Sequence, residues 1–300
     1  NAYELLLAIE IEHISSEDQK AEIDERFQEV FQQYGKNRNT LGLQLQYAKF
    51  LAFNEHQNEA AKTLLRNALE ERISRFEEAR TKMVLADILV LEEKFNQALI
   101  YYSQVQNLVQ NNELAQEATF KVAKTSYYKG DFKWAQTQLK VLKTATSQLI
   151  ANDALQLNLL ISDNSQEDST QTALKLFAKA DLYSFQKKEE KALKLLDTIL
   201  LQHKGEKIED EALLRKAQLF EELGEYEKAE KNYQQIIQYY ADDILADDAY
   251  YYLAELYRNQ LNQPEKAKEN YEQIIFNFAD SIYFVESRKK YRILRGDQIE

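Results

Sequence analysis

The chain has 300 residues, a formal net charge of −12 and a pI near 5.0, with 6 Gly, 1 Pro and no Cys. The lack of Cys excludes disulfides, thiol catalysis and thiolate metal sites, and the acidic balance argues against nucleic acid, which needs clustered Lys and Arg. So few breakers among abundant Ala, Leu, Glu, Lys and Gln predict an all-α chain.

In chain order, the apolar run from Leu5 to Ile9 comes first; like Leu157 to Ile161, it is far shorter than the roughly 18–20 residues a membrane span needs. Ile23, Phe27, Val30, Phe31 and Tyr34 then mark an amphipathic helix, with Ala8 and Ala21 a loose small-residue pair. Beyond it, pairs of alanines recur 12 residues apart: Ala48/Ala60, Ala86/Ala98, Ala123/Ala135, Ala180/Ala192 and Ala217/Ala229, followed by Ala254/Ala267. The leading alanines step by 38, 37, 57, 37 and 37 residues. Such a period signals stacked helix hairpins, about seven of them, and the alanines mark where two helices cross closely enough to require short side chains. Gly130, Gly224 and the run Asn262 to Pro264 read as turns within hairpins.

The long step exceeds the period by 20 residues, about one helix with its loop. The expected organisation is therefore 1–161 (N-terminal repeats ending in an unpaired helix, Leu149 to Ile161), a polar linker over 162–170, and 171–300 (C-terminal repeats with a capping helix). That last helix would start after the N-cap pair Asp280-Ser281 and stop at Gly296. Its cations Arg288, Lys289, Lys290, Arg292 and Arg295 read as a solvated face near a helix C-terminus.

Within 210–279, Ala217, Ala229, Tyr233, Ile236 and Ile237 are echoed by Ala254, Ala267, Tyr271, Ile274 and Ile275. This skeleton resembles the tetratricopeptide (TPR) pattern of small residues at positions 8 and 20, an aromatic at 24 and apolar residues at 27 and 28. The resemblance implies a right-handed α-α superhelix and protein or peptide binding, with no catalysis and no cofactor. In that family the first helix of each pair lines the groove through positions 5, 9, 12 and 13. The implied partner-binding residues are Phe120, Lys124, Tyr127, Tyr128, Phe177, Asp181, Leu214, Gln218, Tyr251, Glu255 and Arg258, with Asp87 also at such a position. The family's clamp for acidic chaperone tails finds only Lys124, Arg258 and Asn259, in separated units, and is disfavoured.

The junctions Tyr240 to Ala249 and Phe278 to Ser281 resemble those of bacterial envelope TPR proteins, the outer-membrane assembly lipoprotein and cell-division coordinators, with Ala241 and Ala279 in place of their proline. This implies a periplasmic or envelope-associated location, with a cytoplasmic one as the alternative. A start at Asn1 reads as a processed or excised piece. The alternatives to a scaffold are an accessory domain of an enzyme whose site lies elsewhere and a self-associating solenoid.

Chemical motifs are missing. No glycines are spaced for a phosphate loop. His13, His56 and His203 fall in different units without metal-ligand spacing, and Asp242/Asp243 and Asp247/Asp248 lack a calcium-loop pattern and read as capping and solvation.

Overall fold

The computed structural model describes residues 2–14, 16–165 and 171–297. It is all-helical, with no strand among the described residues. Two compact units appear, one comprising Asn1–Ile161 with Phe185–Lys187 and the other Ser162–Ser184 with Lys188–Glu300.

The first unit begins with the pair α1 (Ala2–Glu12) and α2 (Glu17–Tyr34). Three hairpins follow: α3 (Leu41–Phe53) with α4 (Asn58–Glu70), α5 (Arg75–Leu91) with α6 (Phe95–Leu108), and α7 (Glu113–Tyr128) with α8 (Phe132–Val141). The extra helix α9 runs Gln148–Asn164. The second unit holds α10 (Thr172–Phe185) and α11 (Glu189–Gln202), α12 (Ile208–Glu222) and α13 (Tyr226–Tyr239), α14 (Ala246–Asn259) and α15 (Pro264–Asn277), and the terminal α16 (Phe284–Arg295).

Alanines pack the hairpin crossings as the period demands: Ala48, Ala86, Ala98, Ala123, Ala135, Ala192, Ala217, Ala229, Ala254 and Ala267 are all fully buried. One pairing needs correction. Ala60 is exposed and Ala61 is fully buried, so the partner of Ala48 lies 13 residues on, as in Ala254/Ala267. The cause is the turn. In the α5/α6, α7/α8, α10/α11 and α12/α13 hairpins a backbone bond spans five residues, such as Lys94 N–H to Leu89 O at 2.8 Å and Glu225 N–H to Phe220 O at 2.8 Å. In the other two it spans six, Gln57 to Leu51 and Gln263 to Tyr257. One added turn residue moves the crossing alanine by one. Ala21 is also exposed and Ala8 half-buried; Leu7, Ile23 and Phe27 make that first contact instead.

The same turns reveal a second period. A residue with positive φ recurs at His56, Glu93, Gly130, Lys187, Gly224 and Asn262, closing each first helix with a left-handed residue. Only two of the six are glycine, which is why this period is hard to read from composition.

At the expected linker, α9 continues through Asn164, so its first three residues are helical; residues 166–170 lie outside the described part. The terminal helix begins at Phe284, not after Asp280-Ser281. Ser281 Oγ accepts from Tyr283 N–H at 3.1 Å and shapes the turn before it. Gly296 (φ 89°) ends the helix as expected.

Candidate functional site

The first-helix face of the hairpins is where the repeat pattern places binding residues. Much of it is occupied by contacts between successive repeats. On α5, Asp87 Oδ1 accepts from Tyr102 Oη at 2.6 Å and from Lys121 Nζ of α7 at 2.8 Å. On α10, Asp181 Oδ1 accepts from Arg215 Nε of α12 at 3.1 Å, and the same guanidinium donates to Ser184 Oγ at 2.6 Å and to Gln218 Oε1 at 3.3 Å. On α14, Glu255 Oε1 accepts from Lys290 Nζ of α16 at 2.8 Å and from Tyr271 Oη. Although burial alone would raise the Glu255 carboxyl, the bonds from Lys290 and Tyr271 with the Lys290 charge hold it below its ordinary value.

These geometries correct several expectations. Asp181 and Glu255 serve inter-repeat ion pairs. Tyr251 is covered: the Tyr283 ring stacks on it at 4.1 Å and 13°, and Lys290 Nζ donates to its hydroxyl at 3.0 Å. Tyr127, Tyr128 and Phe177 are core residues with 0%, 8% and 4% exposure, and Tyr127 packs on Phe132 of its own hairpin. Leu214, Gln218 and Arg258 are half-buried, Phe120 is half-buried and Lys124 is exposed.

Phe120, Lys124 and Tyr128 nevertheless come together in the first unit, in an open cleft of about 400 Å³. Asp87 and Val90 of α5, Glu113, Glu117 and Lys121 of α7, and Ile150 and Asp153 of α9 complete its walls. The extra helix thus makes a groove wall, a role that the 20-residue excess in the repeat period does not disclose. The Lys124 ammonium lies 6.0 Å from the Tyr128 ring centroid.

A carboxyl cluster in the second unit gathers Asp210 and Glu211 with Asp181 and Asp248, and it corrects the reading of Asp248 as a solvated cap: that carboxylate is largely buried and accepts from Tyr283 Oη. Glu211 is pushed up to about 8, by burial first and then by Asp210, Asp248, Asp181 and Asp163. Burial also lifts Asp210 and Asp248 to about 6, against the opposing bonds from Glu211 N–H (2.8 Å) and Tyr283 Oη (2.8 Å). Among the described residues, no group of three or more His, Cys, Asp or Glu is placed to hold a metal ion.

Consecutive antiparallel hairpins with alanine crossings and left-handed turns define a helical-hairpin repeat protein. The tetratricopeptide repeat model matches residues 211–243 and 248–281, so the chain carries TPR repeats in the α12/α13 and α14/α15 hairpins. No curated protein matches the chain. Similar solved structures include the P58(IPK) TPR domain, at 16% identity over 95% of this chain and 71% of that one, with TM-score 0.34. Pseudomonas aeruginosa pilF is 16% identical over 84% and 98% of the two chains, with TM-score 0.33. A tetratricopeptide repeat protein from Parabacteroides merdae is 12% identical over 98% and 100%, with TM-score 0.37.

Proposed function

We propose that the chain is a non-catalytic scaffold that takes a segment of a partner protein in the cleft between α5, α7 and α9. TPR repeats mediate protein–protein interaction, and this cleft supplies what such a segment needs. The observation that carries the reading is the joining of an accessible aromatic, Phe120, to a rim of Glu113, Glu117 and Asp153. An apolar anchor flanked by Lys or Arg is the matching ligand chemistry, since aromatic side chains dominate binding energy and rim charges set orientation.

The test is site-specific photocrosslinking from position 120 in the native host, with Trp134 on α8, 48% exposed, as the control position. A discrete protein adduct from 120 and none from 134 supports the cleft. Adducts of equal yield from both positions refute it. Phe120→Ala should cost about 1–2 kcal/mol of partner affinity at an unchanged melting temperature.

An envelope location rests on the junctions Tyr240 to Ala249 and Phe278 to Ser281 and belongs to the same proposal. Fractionation of the host, with the chain recovered only from cytosol, would overturn it.

A further inference from the structure

Among the described second helices of the hairpins, α6 alone has an outer face without charge. Residues 95–112 contain no Asp, Glu, Lys or Arg, in a chain where these make up 29%. The equivalent faces carry exposed charges such as Arg66 on α4, Lys140 on α8, Lys194 on α11, Lys231 on α13 and Glu269 on α15. On α6 the exposed positions include Gln97, Ile100, Gln104 and Asn107 instead. Loss of charge from an exposed face is the compositional mark of the centre of a protein–protein interface.

This face runs into an open cleft of about 350 Å³ between the end of α6, the start of α7 and the single turn Leu142–Thr144 after α8. None of the residues lining it is ionisable. Two of its side-chain amides are held in opposite senses. Gln106 Nε2 donates to Thr119 Oγ1 at 2.9 Å, and that hydroxyl donates to Ala115 O at 2.8 Å, which leaves the Gln106 carbonyl oxygen as an acceptor. Gln116 Oε1 accepts from Thr146 N–H at 3.2 Å and from Thr146 Oγ1 at 3.1 Å, which leaves Gln116 Nε2 as a donor. One held acceptor and one held donor are the complement of a peptide group, which offers one N–H and one C=O.

We propose that this cleft binds an extended, uncharged segment of a partner protein through its main chain, a peptide N–H donating to Gln106 Oε1 and a peptide C=O accepting from Gln116 Nε2. Val141, 67% exposed, takes a small apolar side chain of the segment. The space is small for a helix, which is about 10–12 Å across with its side chains, and suits a few extended residues. A charged segment is disfavoured because it would lose water here without gaining a counter-charge. α7 contributes Gln116 and Thr119 to this cleft and Glu117 and Phe120 to the other, so the site is separate from the α5/α7/α9 cleft and its test does not depend on that reading.

The test uses the full chain and an array of capped octapeptides drawn from Ala, Ser, Thr, Val, Asn and Gln, with parallel sets in which each peptide carries two Lys or two Glu. Capture confined to the neutral set is expected. In the tightest peptide, an ester in place of the amide that meets Gln106 removes the N–H and should weaken binding roughly tenfold, as loss of a hydrogen-bond partner does, while esters elsewhere change little. Gln116→Glu still accepts both bonds from Thr146 but cannot donate, so it should keep the melting temperature and lose roughly tenfold in affinity. The ester series is read on the parent protein and decides the matter if that variant does not fold. No capture from the neutral set, equal capture of the charged sets, indifference to every ester or to folded Gln116→Glu, or binding of maltoheptaose in place of the peptides would each overturn the proposal.

Discussion

Lys121 reaches back 34 residues to place its Nζ 2.8 Å from Asp87 Oδ1, the same atom that accepts the Tyr102 hydroxyl at 2.6 Å. Arg215 and Asp181 repeat the pairing at a separation of 34, and Lys290 and Glu255 at 35. A cation two residues ahead of the crossing position thus ties each of these first helices to the one before it. The acidic positions that would decorate a bare groove are the receiving half of this device.

The two donors to Asp87 are not equivalent. Tyr102 is 1% exposed, so removing its acceptor strands a buried hydroxyl, whereas Lys121 can turn to water. Asp87→Ala should destabilise by about 1–3 kcal/mol and Lys121→Met by less than about 1 kcal/mol. Chemical denaturation of both variants checks the asymmetry, and equal losses would contradict it.

The crossing positions give a sharper contrast. Ala217→Leu, Ala229→Leu and Ala61→Leu should each destabilise by about 1–3 kcal/mol, because a larger side chain forces a close helix pair apart. Ala60→Leu should remain within about 0.5 kcal/mol of the parent, as for most surface substitutions. Thermal melts reversing the order at 60 and 61 would contradict the hairpin register.

At the turns, Gly224 has φ 73° and open space where a Cβ would lie, so any penalty there is backbone strain alone. Gly224→Ala should cost roughly 1–2 kcal/mol, the strain of a left-handed residue that carries a Cβ. Glu93→Gly, at φ 60°, relieves the same strain and should shift the midpoint of unfolding upward or leave it level. A marked loss on introducing this glycine would show that the Glu93 side chain matters more than its backbone.

Tyr251 separates core from groove. Its stacking on Tyr283 and its bond from Lys290 predict that Tyr251→Ala lowers stability, by about 2–4 kcal/mol on the scale of truncated packed aromatics. Partner capture by the α5/α7/α9 cleft should persist in the folded fraction. An unchanged melting temperature would return Tyr251 to the binding surface.

The carboxyl cluster gives stability a pH dependence of definite sign. Glu211 titrates at about 8 in the folded chain against an ordinary 4.5, and Asp210 and Asp248 at about 6 against 3.8. Folding therefore binds protons between those limits, and the linked stability is complete below the unfolded values and lost as pH rises through the folded ones. The melting temperature should fall from about pH 5 to about pH 8, and Glu211→Gln should flatten the upper part of that slope. A parent protein whose stability rises across this window would rule out the cluster as the controlling group.

The all-helical fold and the repeat are legible because they depend on local chemistry and on regular spacing. Scarce breakers favour helix throughout, and a crossing tolerates only a short side chain, so Ala86/Ala98 and Ala217/Ala229 declare their hairpins directly. The off-by-one at Ala60 arises because an added turn residue leaves no mark in composition, and the left-handed turns at Glu93 and Lys187 are hidden because neither is glycine. Which first-helix residues face solvent is decided only in three dimensions. Asp181, Tyr251 and Glu255 are polar residues of groove type, but their partners Arg215, Tyr283 and Lys290 lie more than thirty positions away and meet them only when one repeat packs on the next. The same holds for α9, whose sequence announces a helix and whose place beside Phe120 and Lys124 makes it the wall of a cleft.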